Sequence, residues 1–476
     1  MRKPRLALLL AAAGALAGCS MAPAYHVPVT VTPPAFKEAG PWIAATPGDP
    51  ALAGQWWTLY GDSKLDDLEA QIEHGNPTLA EALARYDEAR ADLRLARSAL
   101  FPSIGLSGEA TDNRQSDNRP LRGSNQPDLY PADTLGGQFA FELDLWGRVR
   151  NNVAAGRATA EASADDLAAI RLSLESRLAL TYIALRGYDA QAALLSAAAD
   201  TYQKADDMTR RRFNGGIASG LDTGRSGAQL AEAKAQLADV AAARARCEHA
   251  IASLIGTPAS SFSVAPADNP LALPSIPVGL PSTLLQRRPD VAAAERRMAA
   301  ANARIGVAKA AFFPAIGLGG SGGFQNTGLA GLIGAPNIFW SIGPGAVLNL
   351  FEGGRRHAEL AAEKARWDQA TAEYRRHVLN AFQEVEDGLS QLHHLGDEST
   401  AEAQAVRMAR QAEQISMNRY VGGAVDYLDV VTAQTTALRT RRTALDLRTR
   451  ELEASVALIE ATGGGWRAHP DAAAGA

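Results

Sequence analysis

The sequence predicts a mainly α-helical protein with a smaller membrane β portion, in which long antiparallel coiled-coil helices form a tube. Two tracts without proline, 148–213 and 355–420, carry apolar residues at spacings of three, four or seven, which is typical of amphipathic helices. Four short segments alternate apolar and polar residues, which is typical of β-strands. These segments recur in the same order in both halves of the chain, so the fold class is predicted twice over.

The repetition is visible in matched motifs. Phe101-Pro102 corresponds to Phe313-Pro314, and Arg212-Phe213-Asn214-Gly215-Gly216 corresponds to Arg419-Tyr420-Val421-Gly422-Gly423. Copies of about 200 residues are longer than the roughly 20–50-residue units of solenoids, which indicates a duplicated half-molecule. The predicted divisions are a signal peptide at 1–18, an extended strap at 19–55, a first repeat at 56–270, a second repeat at 271–462 and a flexible tail at 463–476.

The N-terminus carries features of an export signal. Basic residues precede an apolar stretch at 6–16, which is too short to span a bilayer as a helix. Leu16-Ala17-Gly18-Cys19 then resembles the lipobox of bacterial lipoproteins, which implies that Cys19 is acylated in the mature protein. Ser20 follows, where an Asp would be the usual signal for retention in the inner membrane, so the resemblance implies delivery to outer-membrane lipid. The other cysteine, Cys247, fits a small buried residue.

Composition excludes several alternatives. The net charge of −5 and a pI near 6.0 leave no basic surface for nucleic acid. The strap at 19–55 is rich in proline, which is incompatible with a continuous helix.

The alternating segments have the length of tilted transmembrane strands, about ten residues. They are predicted at about 101–111, 135–146, 313–324 and 338–351. In the second, Phe139 and Phe141 alternate with polar positions, so we expect Glu109, Glu142 and Asp144 to line a lumen, although Asp144 also suits the membrane rim. Four strands cannot close a barrel, and open edges in lipid are costly. Several copies must therefore share one barrel, either a dimer with eight strands or a trimer with twelve.

Long helices are predicted over 148–256 and 355–461, with shorter partners at Thr78–Ala99 and Val291–Ala311. A tract of about 65 helical residues would extend about 95–100 Å, beyond the size of ordinary globular domains. We therefore expect breaks near Gly187 and Gly396, where two stacked helices would meet.

Two motifs carry a family resemblance. Residues 56–62, Trp-Trp-Thr-Leu-Tyr-Gly-Asp, and residues 284–291, Leu-Leu-Gln-Arg-Arg-Pro-Asp-Val, followed by Phe312-Phe313-Pro314, are similar to the TolC-like outer-membrane factors, in their NodT/OprM-type lipoprotein branch. The resemblance implies a homotrimer with a 12-stranded barrel continuous with a 12-helix periplasmic tunnel. It also implies an exit duct for drugs or other toxic small molecules, working with a periplasmic adaptor and an inner-membrane transporter of the resistance-nodulation-division type.

A gate is expected at the helix tips, where the Gly-Gly pairs fall. Asp426 and Asp429 lie one helical turn apart, and three-fold repetition would make an acidic ring, although Asp426 also suits a helix N-cap. The family often places its gating Asp where this chain has Thr432. The first tip offers Asp222 and Arg225, and Arg225 suits a salt bridge with Asp429.

No motif for catalysis or cofactor binding stands in a convincing context, so we expect neither an enzyme nor a cofactor. His393 and His394 are adjacent, so we expect them to point to different helix faces and to form no metal site. Two other functions remain open: the outer-membrane component of a type I protein secretion system and, with less support, a periplasmic adaptor lipoprotein. The sequence does not name the transported substrate.

Overall fold

The computed structural model describes residues 20–28, 33–38, 54–116, 118, 127–267, 270–274, 276 and 287–466. The predicted signal peptide, Cys19 and most of the predicted tail lie outside these residues. Contacts divide the chain into two compact units. Their described residues fall within 1–28, 86–163 and 294–374 for the first unit, and within 29–85, 164–293 and 375–476 for the second. Each unit therefore combines segments of both sequence repeats.

Seven α-helices account for most of the described chain. They are α1 (Ser63–Gly75), α2 (Pro77–Ser98), α3 (Arg148–Asn214), α4 (Gly220–Leu254), α5 (Pro289–Ala310), α6 (Arg355–Val421) and α7 (Tyr427–Ala461). The two longest, α3 and α6, have 67 residues each, and α4 and α7 have 35 each. Each half of the chain thus contains one helix of 67 residues followed by one of 35. Within the described residues, no helix is both long and apolar enough to span a membrane.

Four antiparallel strands form a single sheet in the order β1-β2-β3-β4. Their bounds are Ser103–Arg114 for β1, Leu129–Leu143 for β2, Ala315–Asn326 for β3 and Ile338–Val347 for β4. Strand β2 begins six residues before the predicted segment and both β2 and β4 end earlier than predicted. The strands β1 and β4 lie at the two edges of this sheet, so each has one side without a partner strand in the part of the chain that the structure describes.

The predicted breaks in the long helices are wrong, because α3 and α6 run without interruption through Gly187 and Gly396. A side-chain Cβ at Gly187 would lie 2.5 Å from Oγ1 of Thr449 in α7. Glycine at 187 therefore permits close contact between two helices. A side-chain Cβ at Gly396 would meet no atom within 4 Å, so packing does not explain the glycine at this position.

The first family-like motif fixes the start of the second unit's core. Trp56 and Tyr60 are buried, and the Tyr60 hydroxyl lies 2.7 Å from the hydroxyl of Ser455 in α7. Asp62 caps α1 by accepting hydrogen bonds from the backbone N–H groups of Lys64 and Leu65, at 2.8 and 3.3 Å. The motif therefore joins a buried aromatic pair to a helix N-cap, which satisfies donors that the first turn leaves free.

The second motif begins α5. Pro289 is its first residue, as its fixed φ and missing N–H favour. Arg288 donates two hydrogen bonds to Asp290, at 3.0 and 2.8 Å, and a third to the Ala461 carbonyl at 3.1 Å. Burial alone would raise the pKa of Asp290, but the bonds and charge of Arg288 hold this pKa below its usual value. The motif is a structural link between α5 and the end of α7.

Candidate functional site

The strand register separates an apolar face of the sheet from a polar one. Ile104 pairs with Phe139, which pairs with Gly320, which pairs with Ile342. Directly paired residues of neighbouring strands share a face. The adjacent row on that face contains Leu106 and Trp340. Ile104, Leu106, Trp340 and Ile342 are all more than 60% exposed, so this face presents large apolar side chains at both edges of the sheet.

Glu109 and Glu142 lie on the opposite, polar face. Glu109 pairs with Thr134 and Thr134 with Gln325, while Glu142 pairs with Gly317. Glu109 is exposed. Glu142 is half-buried and forms an ion pair with Arg148 at the start of α3. The register thus supports the prediction that these two carboxylates face away from the apolar side.

Asp144 does not lie on a strand, because β2 ends at Leu143. Its carboxylate accepts hydrogen bonds from the backbone N–H groups of Val149 and Arg150, at 3.0 and 2.8 Å, and pairs with the Arg150 guanidinium at 3.2 Å. A carboxylate at this position satisfies free donors at the helix N-terminus. Asp144 therefore stabilises the strand-to-helix junction, and its expected place on the polar face of the strand is wrong.

The two helix tips have the same backbone geometry. Gly216 and Gly423 have φ angles of 73° and 74°, a left-handed conformation that glycine adopts without the steric cost of a Cβ. The Ile217 N–H donates to the Arg212 carbonyl, and the Ala424 N–H to the Arg419 carbonyl, both at 2.8 Å. Each long helix thus ends in the same tight turn before its shorter partner begins.

Acidic residues serve different purposes at the two tips. Asp222 forms a capping box with Ser219, accepting from its backbone N–H at 3.1 Å and from its hydroxyl at 2.9 Å. Asp426 occupies the N-cap position of α7, but its side chain makes no capping hydrogen bond. Asp426 and Asp429 are both exposed. Among the described ion pairs, none involves either carboxylate, and the predicted pair between Arg225 and Asp429 is not formed within the chain.

Thr432, one turn after Asp429, is exposed. Its hydroxyl donates to the Leu428 carbonyl at 2.9 Å. Threonine hydroxyls commonly return such a bond to their own helix. Thr432 therefore adds no charge at the position where the family often has an aspartate.

An aromatic cluster at the tips, which was not predicted from the sequence, joins the two helical hairpins. Tyr420 and Tyr427 pack against Val430, with ring centroids 5.2 Å apart. Arg212 of the first hairpin stacks its guanidinium 4.7 Å from the Tyr420 ring centroid and donates to the Tyr420 carbonyl at 3.2 Å. Such a cation–π contact is worth about 0.5–2 kcal/mol. The repeated Arg-aromatic pair before each Gly-Gly was the available signal.

A buried polar link supports the cluster from one side. Asp206 accepts from the Ser226 hydroxyl and from the Arg210 guanidinium, both at 2.6 Å. Burial alone would raise the pKa of Asp206, but these bonds and the Arg210 charge keep this pKa below its usual value. The hydroxyls of Tyr420 and Tyr427 are buried without a hydrogen-bond partner in the described part of the chain. Burial is also the main reason that the pKa of Tyr427 is raised.

A cavity of about 480 Å³ opens between α3, α4 and α7 in the second unit. Most of the residues that line it are polar or charged, including Gln191, Tyr202, Gln229, Arg439 and Arg442. Gln229 donates to the side-chain carbonyl of Gln434 at 3.2 Å, which links α4 to α7. The cavity brings together no set of residues that would suggest catalysis.

The expected separation of His393 and His394 is wrong. One ring nitrogen of each and one carboxylate oxygen of Asp397 all lie within 4.8 Å of one another. The adjacent side chains leave the helix in different directions, but their rotamers bring the rings to 5.2 Å between centroids. The positions of these ligand atoms therefore depend on side-chain rotamers, which the spacing of residues along a helix does not determine.

Comparison with known proteins gives consistent matches. The family model described as outer membrane efflux protein matches twice, over residues 69–257 and 280–464. The chain is 31% identical to the outer membrane protein OprJ of Pseudomonas aeruginosa, covering 98% of this chain and 97% of that one. It is 29% identical to the toluene efflux pump outer membrane protein TtgC of Pseudomonas putida, covering 95% and 93%.

A solved structure agrees with these sequence matches. The outer-membrane channel OprN superimposes with a TM-score of 0.87 at 29% identity, covering 94% of this chain and all of that one. The similarity thus extends over both units and both repeats.

Proposed function

The chain belongs to the outer membrane efflux protein family and is the outer-membrane channel of a tripartite efflux pump, and we propose that three copies of it form one duct. It acts at the outer membrane. The observation that carries the proposed assembly is the four-stranded sheet, in which β1 and β4 each leave one side unpaired among the described residues and present exposed apolar side chains. Unpaired edges in lipid cost several kcal/mol per group, which favours pairing β4 of one copy with β1 of the next.

Three copies would give twelve strands, and with Glu109 and Glu142 on the polar face the lumen of such a barrel would be acidic. The charge of Glu142 is partly offset by Arg148, so Glu109 contributes most of the field there. Asp144 acts at the junction between strand and helix. A lumen of this character favours cations over anions.

We propose the gate at the helix tips, with Asp426 and Asp429 forming its charged ring. Asp222 is committed to capping α4, whereas the two carboxylates of the second tip are exposed. Three-fold repetition would bring six carboxylates together, and Arg225 would pair with Asp429 across the interface between copies. A single exposed pair of this kind contributes about 0–1 kcal/mol, so it could be broken easily during opening.

The aromatic cluster supports such a gate. Arg212 and Tyr420 tie the first hairpin to the second, so separation of the tips requires breaking this contact. The buried hydroxyls of Tyr420 and Tyr427 have no hydrogen-bond partner among the described residues, and each such group costs about 1–3 kcal/mol. Opening would return both hydroxyls to water and offset part of the lost packing. The joined tips would therefore be held by a small net free energy.

The partners, the membrane anchor and the substrate class that we propose follow from membership of this family. We propose a periplasmic adaptor and a resistance-nodulation-division transporter as partners, and acylation of Cys19 as the anchor in outer-membrane lipid. No catalytic step is proposed, in keeping with a family of efflux channels. TtgC is named for toluene, and we propose small apolar toxic compounds as one class of substrate, selected by the transporter.

The number of chains per duct tests this proposal. The purified full-length protein is reconstituted in lipid nanodiscs and weighed by native mass spectrometry, and a second sample is placed in planar bilayers. We expect three chains per particle, about three times the mature chain mass, and discrete current steps. Particles of one or two chains that still conduct would contradict the trimer. Three-chain particles that never conduct would contradict the duct.

A further inference from the structure

Two adjacent histidines and an aspartate converge on one exposed site of α6. The ligand atoms of His393, His394 and Asp397 lie within 4.8 Å of one another. The His393 Nε2 atom is 4.0 Å from Asp397 Oδ2. All three residues are exposed, so their ligand atoms can reach an ion in solution without any opening of the core.

The backbone below this cluster is held in place. Leu395, between the histidines and the aspartate, is buried and packs with Leu447 and Ala454 of α7. His393 and Asp397 are four residues apart on one helix, a spacing that places their side chains on the same face. Gly396 leaves open space next to them, since a Cβ at this position would meet nothing within 4 Å. An ion with its water ligands therefore has room, and only side-chain torsions need to change.

The local charge favours a cation. Between residues 391 and 406, α6 carries Asp397, Glu398 and Glu402 but no Lys or Arg. Arg450 from α7 lies 3.8 Å from Glu398 and offsets one of these charges. Neutral imidazoles add none, so a net negative charge remains beside the ligand atoms.

The duplication supplies an internal comparison. Helices α3 and α6 have equal length, and the positions that correspond to His393, His394 and Asp397 are Arg186, Gly187 and Ala190. None of these residues ligates a metal. The helical scaffold common to both repeats therefore does not require the His-His-Asp set.

We propose that His393, His394 and Asp397 bind a divalent transition-metal ion through two imidazole nitrogens and one carboxylate oxygen. Such ligands suit Zn²⁺, Ni²⁺ and Cu²⁺, and Cu²⁺ binds most tightly to a given set of this kind. Bonds of about 2.0–2.1 Å in a tetrahedral site place neighbouring ligand atoms about 3.4 Å apart. The three ligand atoms lie within 4.8 Å of one another, so side-chain torsions must close these separations by at most about 1.4 Å. Water fills the remaining positions.

Copper titration of the assembled protein tests this site. The full-length protein, purified without a histidine tag and stripped with chelator, is titrated with Cu²⁺ in a calorimeter and followed by electron paramagnetic resonance. We expect one such ion per chain, with hyperfine structure from two nitrogens. His394→Ala should leave one nitrogen and weaken binding at least tenfold, and Asp397→Asn should weaken it while keeping both nitrogens. His249→Ala is the matched control, since this histidine is exposed on α4 and outside the cluster.

Two results would overturn the proposal. One is a wild-type protein that takes up no Cu²⁺ at this stoichiometry. The other is unchanged affinity and an unchanged spectrum in both His394→Ala and Asp397→Asn. The substituted side chains are exposed, so assembly should persist, and gel filtration verifies it. If His394→Ala fails to assemble, the wild-type nitrogen count together with Asp397→Asn decides the question.

Discussion

At the scale of single residues, the carboxylates of the second helix tip differ from their counterpart in the first. Asp222 satisfies the N-terminus of α4 through its capping box, so its charge is already used locally. Asp426 occupies the N-cap position of α7, which corresponds to Ser219, without a side-chain capping bond, and Asp429, the counterpart of Asp222, is exposed one turn later. Neither carboxylate forms an ion pair among the described residues of its own chain, so both can act on passing ions once the tips have separated.

Removing the charge of Asp429 tests that role. A carboxylate about 6 Å from a permeating ion in water contributes about 0.7 kcal/mol, roughly a threefold change in local cation concentration. Because each of the three copies would lose this charge, we expect Asp429→Asn to lower the cation-to-anion permeability ratio by at least about threefold in planar bilayers, read from the reversal potential in a salt gradient. Asp207→Asn is the control, because this exposed aspartate of α3 accepts a bond from Gln203. Equal permeability ratios in wild type and Asp429→Asn would exclude the acidic ring.

A second residue-scale feature is the buried carboxyl of Glu69. It is 3% exposed, and neither oxygen has a hydrogen-bond partner among the described residues. Burial, with smaller contributions from the charges of Glu175 and Asp66, raises the pKa of Glu69 to about 10. Burial also raises the pKa of Glu175 to about 7. At neutral pH the folded protein therefore holds Glu69 protonated.

The contribution of Glu69 to the stability of the folded protein should depend on pH. The folded state binds the Glu69 proton more tightly than the unfolded chain, so its contribution is lost as pH rises from about 4.3, the unfolded value, towards 10. We expect Glu69→Gln to gain stability over wild type by up to about 1.4 kcal/mol per pH unit between pH 6 and 9. Unfolding measured at several pH values gives this slope. Glu73→Gln, at an exposed residue paired with Arg171, should show no such trend. A difference in unfolding free energy between Glu69→Gln and wild type that stays constant with pH would contradict this prediction.

At the scale of secondary-structure elements, the long helices owe their contact to small residues at particular points. Gly187 allows α3 to approach Thr449 of α7. The Thr449 hydroxyl donates to the Leu445 carbonyl at 3.0 Å, so a new methyl group at 187 would displace a bonded side chain. Overpacking of this kind costs about 1–3 kcal/mol.

Two glycine substitutions separate packing from helix propensity. Alanine is favoured over glycine inside a helix by about 1 kcal/mol, so Gly396→Ala, in open space, should gain about that amount. Gly187→Ala should lose stability despite the same gain in propensity. Chemical denaturation of both variants measures the difference, and the double variant Gly187→Ala with Thr449→Ala should recover part of the loss. Equal gains in both single variants would contradict the close contact.

Sequence patterns predicted these elements unevenly. The helices and strands follow from periods that a chain carries locally, so their order and approximate bounds were predictable. The roles of Gly187 and Asp144 were not, because one depends on a neighbour 262 residues away and the other on where a strand stops. The tie between Arg212 and Tyr420 depends on packing between hairpins. The meeting of His393 with His394 depends on rotamers, which spacing does not determine.

At the scale of the whole molecule, two repeats jointly supply both the sheet and the helical hairpins. Each compact unit draws on both repeats, so neither repeat is expected to fold into a working half alone. The sheet has unpaired edges and the tips carry exposed carboxylates. Association of several copies would pair the edges and bring the carboxylates into one ring. The assembled chain is thus the exit duct of an efflux pump.

Dye accumulation in living cells tests this claim most directly. The wild-type gene is expressed, with the adaptor and transporter of its own host, in a Gram-negative strain that lacks its native outer-membrane channels. The account predicts that these cells accumulate much less of a fluorescent efflux substrate than cells carrying only the adaptor and transporter. Equal accumulation in the two strains, with the protein present in the outer membrane, would contradict it.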